Sequence, residues 1–291
     1  QGKNHIVGFV DDYKLIKKQK PLLIHEFILM ERLHVDLCSF LHKHRTSTHG
    51  LPLECVAAVG KQLLCALSYL AKRGVIHCDL KPANVLMVKG SLNEDFSDIQ
   101  VKISDFGLAR KKSETDRYDV IQTMIYRAPE RLFLLPYHEG VDIWSLGCSL
   151  CELYTGSFLI EPSRQGTESS LSEDEYHEED QNTRLDHLRE IRVVIGSFPD
   201  SMISPQSLKF KQDLVSHKVL DTRVAKSFQE MQTLSRKRFT NQIKRAFHSH
   251  GQDDEKSVED FTKLLQGLLT IDTEMRLTAH QALSDPFFVG K

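Results

Sequence analysis

The chain has 291 residues, of which 27% are charged and 40% hydrophobic, and its formal net charge is −2. That length allows one large domain or two small ones, and the composition is typical of a soluble protein with an ordinary core. The near-neutral charge gives no reason to expect nucleic acid or an anionic membrane as a direct partner. No uninterrupted apolar run approaches the roughly 20 residues that span a bilayer, so we expect no membrane partner.

The first 33 residues predict two β-strands joined by a turn. Residues 5–16 mix apolar and polar side chains, 17–21 carry lysines and a proline, and 22–33 form a long apolar run. A lone hairpin is marginally stable in water and needs further strands or a helix to bury its apolar face. We therefore expect this hairpin to expose apolar surface or to rely on residues outside this sequence.

Most of the remaining chain predicts helices. From Leu53 to Arg73 the apolar residues recur at helical spacing, and Gly74 marks the end of that helix. Val141 to Thr155 is a dense apolar run around Trp144, which is typical of a buried core helix. Short strands are expected at 85–88 and 99–103, and further helices at 185–195, 258–269 and 278–283.

Two segments depart from this order. Residues 162–182 are rich in Ser, Glu and Asp, which predicts a solvated loop. The serines at 169, 170 and 172 could be phosphorylation sites or could simply keep the loop soluble. Residues 209–245 are basic around Arg236-Lys237-Arg238, which fits a docking surface, a nuclear-import signal or an ordinary solvated helical face.

The six cysteines are scattered along the chain and show no metal-binding spacing. We expect them to be small buried hydrophobic residues rather than disulfides or zinc ligands, which fits a reducing compartment. They are Cys38, Cys55, Cys65, Cys78, Cys148 and Cys151.

Polar groups suited to phosphoryl transfer occur in a compact order. The run His77-Cys78-Asp79-Leu80-Lys81-Pro82-Ala83-Asn84 is followed by Asp105-Phe106-Gly107 and then by Ala128-Pro129-Glu130. Phosphoryl transfer needs a carboxylate that orients the attacking hydroxyl, a cation near the moving phosphate, and oxygen ligands for magnesium. Asp79, Lys81, Asn84 and Asp105 supply those groups.

From about His5 to Phe288 this sequence resembles a eukaryotic-type serine/threonine protein kinase. The form Lys81-Pro82-x-Asn84 is similar to serine/threonine rather than tyrosine kinases. With Tyr126-Arg127-Ala128-Pro129-Glu130, it resembles the group of cyclin-dependent, mitogen-activated and dual-specificity tyrosine-regulated kinases. With Cys78 between His77 and Asp79, the motif is most similar to that of the dual-specificity tyrosine-regulated and homeodomain-interacting branch.

The resemblance implies an α+β fold with two lobes. Residues 1–33 would form a remnant of the β-rich small lobe and the hinge. Residues 34–291 would form a mainly helical large lobe, with an acidic insert at 162–182 and a second insert region at 199–252. ATP and Mg²⁺ would bind between the lobes, and protein substrates would supply Ser or Thr hydroxyls.

The resemblance also implies a role for each catalytic residue. Asp79 would orient the substrate hydroxyl, and Lys81 would neutralise the transferring group. Asn84 and Asp105 would hold magnesium. Thr123 occupies the place of a threonine that bonds the catalytic Asp and Lys. Glu130 and Arg276, likewise, would form a buried ion pair.

A nucleotide site is implied at the hinge. Met30 matches the gatekeeper position, and the backbone of Glu31 and of Leu33 would bond the adenine edge. Asp36 would reach the ribose, and Leu86 would form the floor under the purine. The same residues would serve equally as strand core and helix cap in a protein that binds no nucleotide.

Two positions depart from the pattern of the family. Many kinases carry Arg where this chain has Cys78, and that Arg grips a phosphate on the activation loop. A cysteine cannot do so, and we therefore hypothesise that activity does not depend on such a phosphate. Val120 stands where the branch carries a second loop tyrosine, which leaves Tyr118 without its usual neighbour.

The sequence contains no G-x-G-x-x-G loop and no V-A-I-K-type lysine before the hinge. It also begins at Gln1 rather than Met, so we expect it to be an N-terminally truncated kinase that transfers phosphate poorly on its own. The alternatives are a catalytically inactive pseudokinase that serves as a scaffold and, less well supported, a small-molecule phosphotransferase. The compartment would be the cytoplasm or the nucleus.

Overall fold

The computed structural model describes residues 4–17, 23–46, 50–88, 99–160, 181–206, 208–220, 239–241, 243–244, 246 and 253–289. Within these ranges helices predominate, and the strands form three antiparallel pairs, β1 with β2, β3 with β6 and β4 with β5. The strands are β1 Phe9–Lys17, β2 Leu23–Met30, β3 Val75–Ile76, β4 Val85–Met87, β5 Val101–Ile103 and β6 Arg110–Lys111. The helices are α1 Leu37–His44, α2 Leu53–Lys72, α3 Pro129–Leu132, α4 Gly140–Thr155, α5 Gln181–Val194, α6 Asp200–Ile203, α7 Leu208–Ser216, α8 Glu255–Leu268 and α9 Ala279–Ala282.

The hairpin of β1 and β2 has the predicted strands and the predicted exposed apolar surface. Its register runs from Phe9 opposite Met30 to Lys17 opposite Leu23, with one irregularity after Phe9. The rings of Tyr13 and Phe27 stack with centroids 4.8 Å apart. More than a third of the side-chain surface is exposed at Phe9, Val10, Tyr13, Leu15, Phe27, Ile28, Leu29 and Met30.

The segment before the hairpin is fixed to the larger helical part. The amide of Ile103 donates to the carbonyl of His5 at 2.8 Å, and the amide of Val7 donates to the carbonyl of Ile103 at 2.9 Å. Ile6 and Ile103 thereby form a parallel bridge. The chain that enters β1 is thus held against the strand that leads towards Asp105.

The core is built around α2 and α4, both of which the sequence predicted. Every residue of α4 is buried, and Gly156 ends the helix in the left-handed conformation that favours glycine, with φ of 72°. A Cβ atom at Gly147 would lie 2.8 Å from Leu269 Cγ, so the glycine permits close packing of α4 against the end of α8. Among the described residues α2 alone has the length and apolar composition of a membrane span, and most of its residues are buried in the core.

Several element bounds differ from the prediction. Helix α1 was not predicted, because its eight residues are too few for the apolar spacing to stand out. Helix α5 begins at Gln181, inside the segment predicted as a loop. The remainder of that acidic segment, 162–180, lies outside the described residues, as does Arg236-Lys237-Arg238. Of the basic segment, 209–216 is helical, as part of α7.

Glu130 and Arg276 form the predicted buried ion pair. The guanidinium Nη1 lies 2.7 Å from Glu130 Oε1, and Nη2 lies 2.9 Å from Oε2. Both side chains are at most 2% exposed. Arg276 also donates to the carbonyls of Thr270 and Gly140 at 2.8 Å each, and its guanidinium lies 5.2 Å from the ring centroid of Trp144. The pair therefore fastens α3 to α4 and to the chain after α8.

Removing one partner of this pair should destabilise the protein strongly. Glu130→Gln leaves the Arg276 charge buried without a counter-ion, and we expect a loss of about 3–5 kcal/mol in the free energy of unfolding. Urea denaturation followed by circular dichroism measures it. The matched control is Glu259→Gln, which breaks an exposed pair with Lys263 on α8. An unfolding midpoint of Glu130→Gln equal to that of the control would contradict the prediction.

Candidate active site

The loop of residues 77–84 is anchored by one carboxylate on α4. Asp142 is buried, and its two oxygens accept the backbone N–H of His77 at 2.7 Å and of Cys78 at 2.9 Å. Cys78 has φ of 67°, a conformation that non-glycine residues rarely adopt. The two hydrogen bonds stabilise that unusual turn, and the turn orients the residues that follow it.

The ring of His77 joins this loop to the segment after β5. Its Nε2 lies 2.9 Å from the carbonyl oxygen of Ser104, and a carbonyl can only accept, so Nε2 carries the proton. Nδ1 is then free of a proton and accepts the backbone N–H of Asp79 at 3.3 Å. The ring of Phe106 meets that of His77 edge-on, with centroids 4.9 Å apart. Asp105 is therefore held between two residues that contact His77.

Asp79, Lys81 and Thr123 contact one another directly. The hydroxyl of Thr123 donates to Asp79 Oδ1 at 2.8 Å, and Lys81 Nζ donates to the same hydroxyl at 3.0 Å. Lys81 Nζ lies 3.5 Å from Asp79 Oδ2. The two hydrogen bonds expected for Thr123 from the sequence are thus present. Although the partners are more than forty residues apart in the chain, they form one cluster at the end of the loop.

Asn84 and Asp105 offer oxygen atoms that suit magnesium. Asn84 Nδ2 donates to the backbone oxygen of Asp79 at 2.8 Å and to its Oδ2 at 2.9 Å, which leaves the amide oxygen as the atom for a cation. Ser104 donates from both its amide and its hydroxyl to the carbonyl of Asn84, so Asp105 follows directly after a residue bonded to Asn84. The exposed Asp105 has φ of 58°, and Oδ1 accepts the Gly107 amide at 3.1 Å.

These two residues fit a magnesium ion that takes its other ligands from water and substrate phosphates, which is how proteins commonly bind it. Within the described ranges no group of three or more His, Cys, Asp or Glu side chains is placed to hold a metal on its own. A site built from one carboxylate and one amide would therefore leave the remaining ligands to water or to phosphate oxygens.

The hinge after β2 is held by Glu31. Its Oε1 accepts the Lys102 ammonium at 2.5 Å and the Gly8 amide at 2.6 Å. The hydrogen bond from Lys102 lowers the pKa of Glu31 below its usual value, against the effect of burial. The backbone N–H of Glu31 donates to the carbonyl of Gly8 at 2.9 Å.

The remaining hinge residues lie along β4. Asp36 forms an antiparallel bridge with Leu86, and the half-buried Leu33 lies between Glu31 and that bridge. Asp36 is the N-cap of α1, where its two oxygens accept the amide and the hydroxyl of Ser39 at 2.8 and 2.7 Å. Met30 ends β2, and 45% of the residue is exposed. Asn84 immediately precedes β4, so the hinge and the catalytic loop meet at that strand.

Residues 3–288 match the family whose description is protein kinase domain. The chain belongs to the protein kinase family. This confirms the family and the α+β fold class predicted from the motifs. The kinase chain is 28% identical to homeodomain-interacting protein kinase 2 of Mesocricetus auratus over 288 residues, which is 95% of this chain and 23% of that protein.

Two further relatives carry other kinase names. Serine/threonine-protein kinase AFC2 of Arabidopsis thaliana is 29% identical over 286 residues, covering 92% of this chain and 60% of the relative. Mitogen-activated protein kinase 12 of Rattus norvegicus is 30% identical over 264 residues, covering 90% of this chain and 56% of the relative. The chain therefore spans between about a quarter and three fifths of the length of these relatives.

Gln122 is a structural residue of this kinase domain that the sequence did not reveal. It adopts φ of 65°, and its carbonyl accepts from Arg127 Nε and Nη2 at 3.1 and 2.9 Å. The side-chain Nε2 donates to Ser145 Oγ at 2.8 Å and to the carbonyl of Val141 at 3.0 Å. Gln122 thus fixes Thr123, its neighbour, onto α4. In the sequence, its position directly before Thr123 was the signal that could have identified it.

Cys78 lies where many kinases carry Arg, and its side chain is fully buried. Burial raises the pKa of its thiol to about 12, and the neighbouring Asp142 adds to that effect. The thiol is therefore neutral at physiological pH. Its backbone carbonyl accepts the Gln122 amide at 2.7 Å, so this residue contacts the loop before Thr123 through its backbone.

The burial of Cys78 predicts that it resists alkylation. A thiol with a pKa near 12 and no exposed surface presents almost no thiolate at pH 8. With iodoacetamide at that pH, mass spectrometry of the native protein should show that Cys78 is alkylated at least tenfold more slowly than the half-buried Cys65 on α2. After unfolding in urea, the two rates should become similar. Equal rates in the native protein would contradict the placement of Cys78.

Proposed function

We propose that the protein transfers the γ-phosphate of ATP to Ser or Thr hydroxyls of protein substrates. The observation that carries this proposal is the cluster of Asp79, Lys81 and Thr123, in which one carboxylate, one ammonium and one hydroxyl lie within hydrogen-bonding reach. Asn84 extends the cluster towards Asp105. A carboxylate beside a cation, next to two magnesium-type ligands, is what phosphoryl transfer requires of a protein.

In the proposed reaction Asp79 accepts a hydrogen bond from the substrate hydroxyl and aims its oxygen at the γ-phosphorus. A new oxygen–phosphorus bond forms, the bond from the γ-phosphorus to the bridging oxygen of ADP breaks, and the hydroxyl proton passes to Asp79. Lys81 offsets the negative charge on the transferring group. Thr123 holds both side chains in place, because its hydroxyl accepts from Lys81 and donates to Asp79.

The nucleotide would lie between the hinge and β4. Magnesium, when bound, would offset the negative charge of the phosphates. Asn84 and Asp105 would hold it through their side-chain oxygens. At the hinge, the carbonyl of Glu31 and the amide of Leu33 are proposed to bond the adenine edge.

Three further residues are proposed to contribute to the nucleotide site. Leu86 on β4 would form the floor under the purine, and Met30 would limit the back of the pocket. Asp36 would reach the ribose, and each of its oxygens can accept a further hydrogen bond in addition to that from Ser39.

The proposed partners are ATP and protein substrates, without membrane or nucleic acid. The relatives are named as a homeodomain-interacting kinase, a serine/threonine-protein kinase and a mitogen-activated protein kinase, which supports a Ser or Thr hydroxyl as the acceptor. The cytoplasm or the nucleus is the proposed compartment. A scaffold without catalysis would have no need of the hydrogen bonds that link Asp79, Lys81, Thr123 and Asn84.

Replacing the proposed base should abolish most phosphoryl transfer. In the natural full-length protein, Asp79→Asn removes the proton acceptor and should lower kcat by about 10²–10⁴-fold, with KM for ATP little changed. Transfer of radiolabelled γ-phosphate to a generic basic protein substrate measures this. Thr123→Val should lower kcat less, by about tenfold, because Asp79 and Lys81 remain but lose their common partner.

The matched control is Asp12→Asn, which makes the same chemical change on the exposed face of β1. Its kcat should equal that of the wild type. Equal phosphate incorporation by Asp79→Asn and the wild type would refute the proposed base. An inactive wild type that retains its fold would favour the scaffold instead.

A further inference from the structure

Asp119 is the centre of a polar cluster outside the proposed catalytic groups. It lies in the activation segment, which we define as residues 105–130. Its Oδ2 accepts the Tyr137 hydroxyl at 2.6 Å and the backbone N–H of Asp116 at 2.8 Å. Its Oδ1 lies 3.6 Å from Arg110 Nε. This one carboxylate therefore joins the start of the segment, its own turn and the chain that follows α3.

Arg131 holds the same turn through its backbone. Its Nη2 donates to the carbonyls of Arg117 and Asp119 at 2.9 and 2.7 Å, and its Nη1 donates to the carbonyl of Leu135 at 2.6 Å. The guanidinium also lies 4.5 Å from the ring centroid of Tyr137. Arg131 is buried on α3. The cluster is thus built partly on a buried residue of α3 rather than on the segment alone.

The cluster lies a short distance along the chain from the catalytic groups. Three residues separate Asp119 from Thr123, and two of them, Ile121 and Gln122, are buried. The Gln122 amide donates to the carbonyl of Cys78, and the Thr123 hydroxyl donates to Asp79. A shift of Asp119 would therefore be transmitted to Thr123 through a segment that has little freedom to absorb it.

We propose that Asp119 is a positioning residue whose permanent negative charge holds the activation segment in the conformation in which Thr123 contacts Asp79 and Lys81. The inference rests on the proposed function and adds to it how the segment is kept in place. The buried thiol of Cys78 supplies no cation for a loop phosphate. The negative charge that organises this segment is that of an amino-acid side chain, Asp119.

The ionisation state of Asp119 agrees with this role. Burial by itself would raise the pKa of its carboxyl, but the hydrogen bonds from Tyr137 and the Asp116 amide, together with Arg110, hold the pKa below its ordinary value. The carboxylate is consequently charged throughout the physiological pH range. In contrast, the charge of a phosphorylated loop residue would exist only after a phosphate group is added, and it would be lost when that group is removed.

The test compares three variants of the natural full-length protein. Asp119→Asn removes the charge with little change in shape, Asp119→Glu keeps the charge, and Glu114→Gln is the matched control in an exposed pair with Lys111 on the same segment. We expect Asp119→Asn to lower kcat by about 10- to 100-fold, with KM for ATP changed less than twofold. Asp119→Glu should recover part of that loss, and Glu114→Gln should match the wild type.

Two further measurements separate this inference from the proposed function. Phosphatase-treated wild type should retain its activity, and amide hydrogen exchange at Gln122 and Thr123 should be faster in Asp119→Asn than in the control. Unchanged kcat and unchanged exchange in Asp119→Asn would overturn the inference, as would loss of activity on phosphatase treatment. If the wild type transfers no phosphate, the proposed function fails, and the exchange rates alone then decide whether Asp119 anchors the segment.

Discussion

The site depends on the attachment of a strained loop to a buried helix by one carboxylate. Asp142 accepts two successive backbone N–H groups, those of His77 and Cys78, one at each carboxylate oxygen. Burial raises the pKa of Asp142, while the hydrogen bonds from the two amides oppose that rise. The cost of burying the carboxylate is offset by the hydrogen bonds that fix the turn at Cys78, and the direction of the following residues depends on that turn.

The other contacts of the site follow from this attachment. His77 reaches Ser104 because its backbone is fixed, and the Ser104 contact keeps Asp105 close to Asn84. The Cys78 carbonyl accepts the Gln122 amide, which brings Thr123 to Asp79. The loop, the proposed magnesium ligands and the activation segment are therefore coupled through one short stretch of backbone. The ion pair of Glu130 and Arg276 secures the far end of that segment.

The sequence predicted those parts of the site that depend on residue type at a fixed spacing. Asp79, Lys81 and Asn84 lie within six residues of one another, and the long helices α2 and α4 have an unbroken apolar pattern. The family resemblance supplied the distant pairs, such as that of Glu130 with Arg276. The predicted nucleotide contacts of the hinge remain predictions, because they depend on a ligand.

The sequence could not predict contacts that arise only when distant segments fold together. Asp119 is an ordinary acidic loop residue until Arg110 and Tyr137 are placed beside it. Gln122 likewise gains its importance from a positive φ and from its hydrogen bonds to Val141 and Ser145 on α4, and residue type alone indicates neither. The role of Asp36 could not be decided from the sequence, since a carboxylate before a short helix can cap that helix or bond a ribose equally well.

Amide hydrogen exchange at His77 and Cys78 in Asp142→Asn, compared with the wild type, is the most direct measurement. An asparagine offers one acceptor where Asp142 offers two, so one buried N–H loses its partner at a cost of about 1–3 kcal/mol. At least one of the two amides should then exchange about tenfold faster or more, while the amides of α2 keep their protection and report that the fold is intact. Unchanged exchange at both amides in the folded variant would contradict the claim that Asp142 holds the catalytic loop.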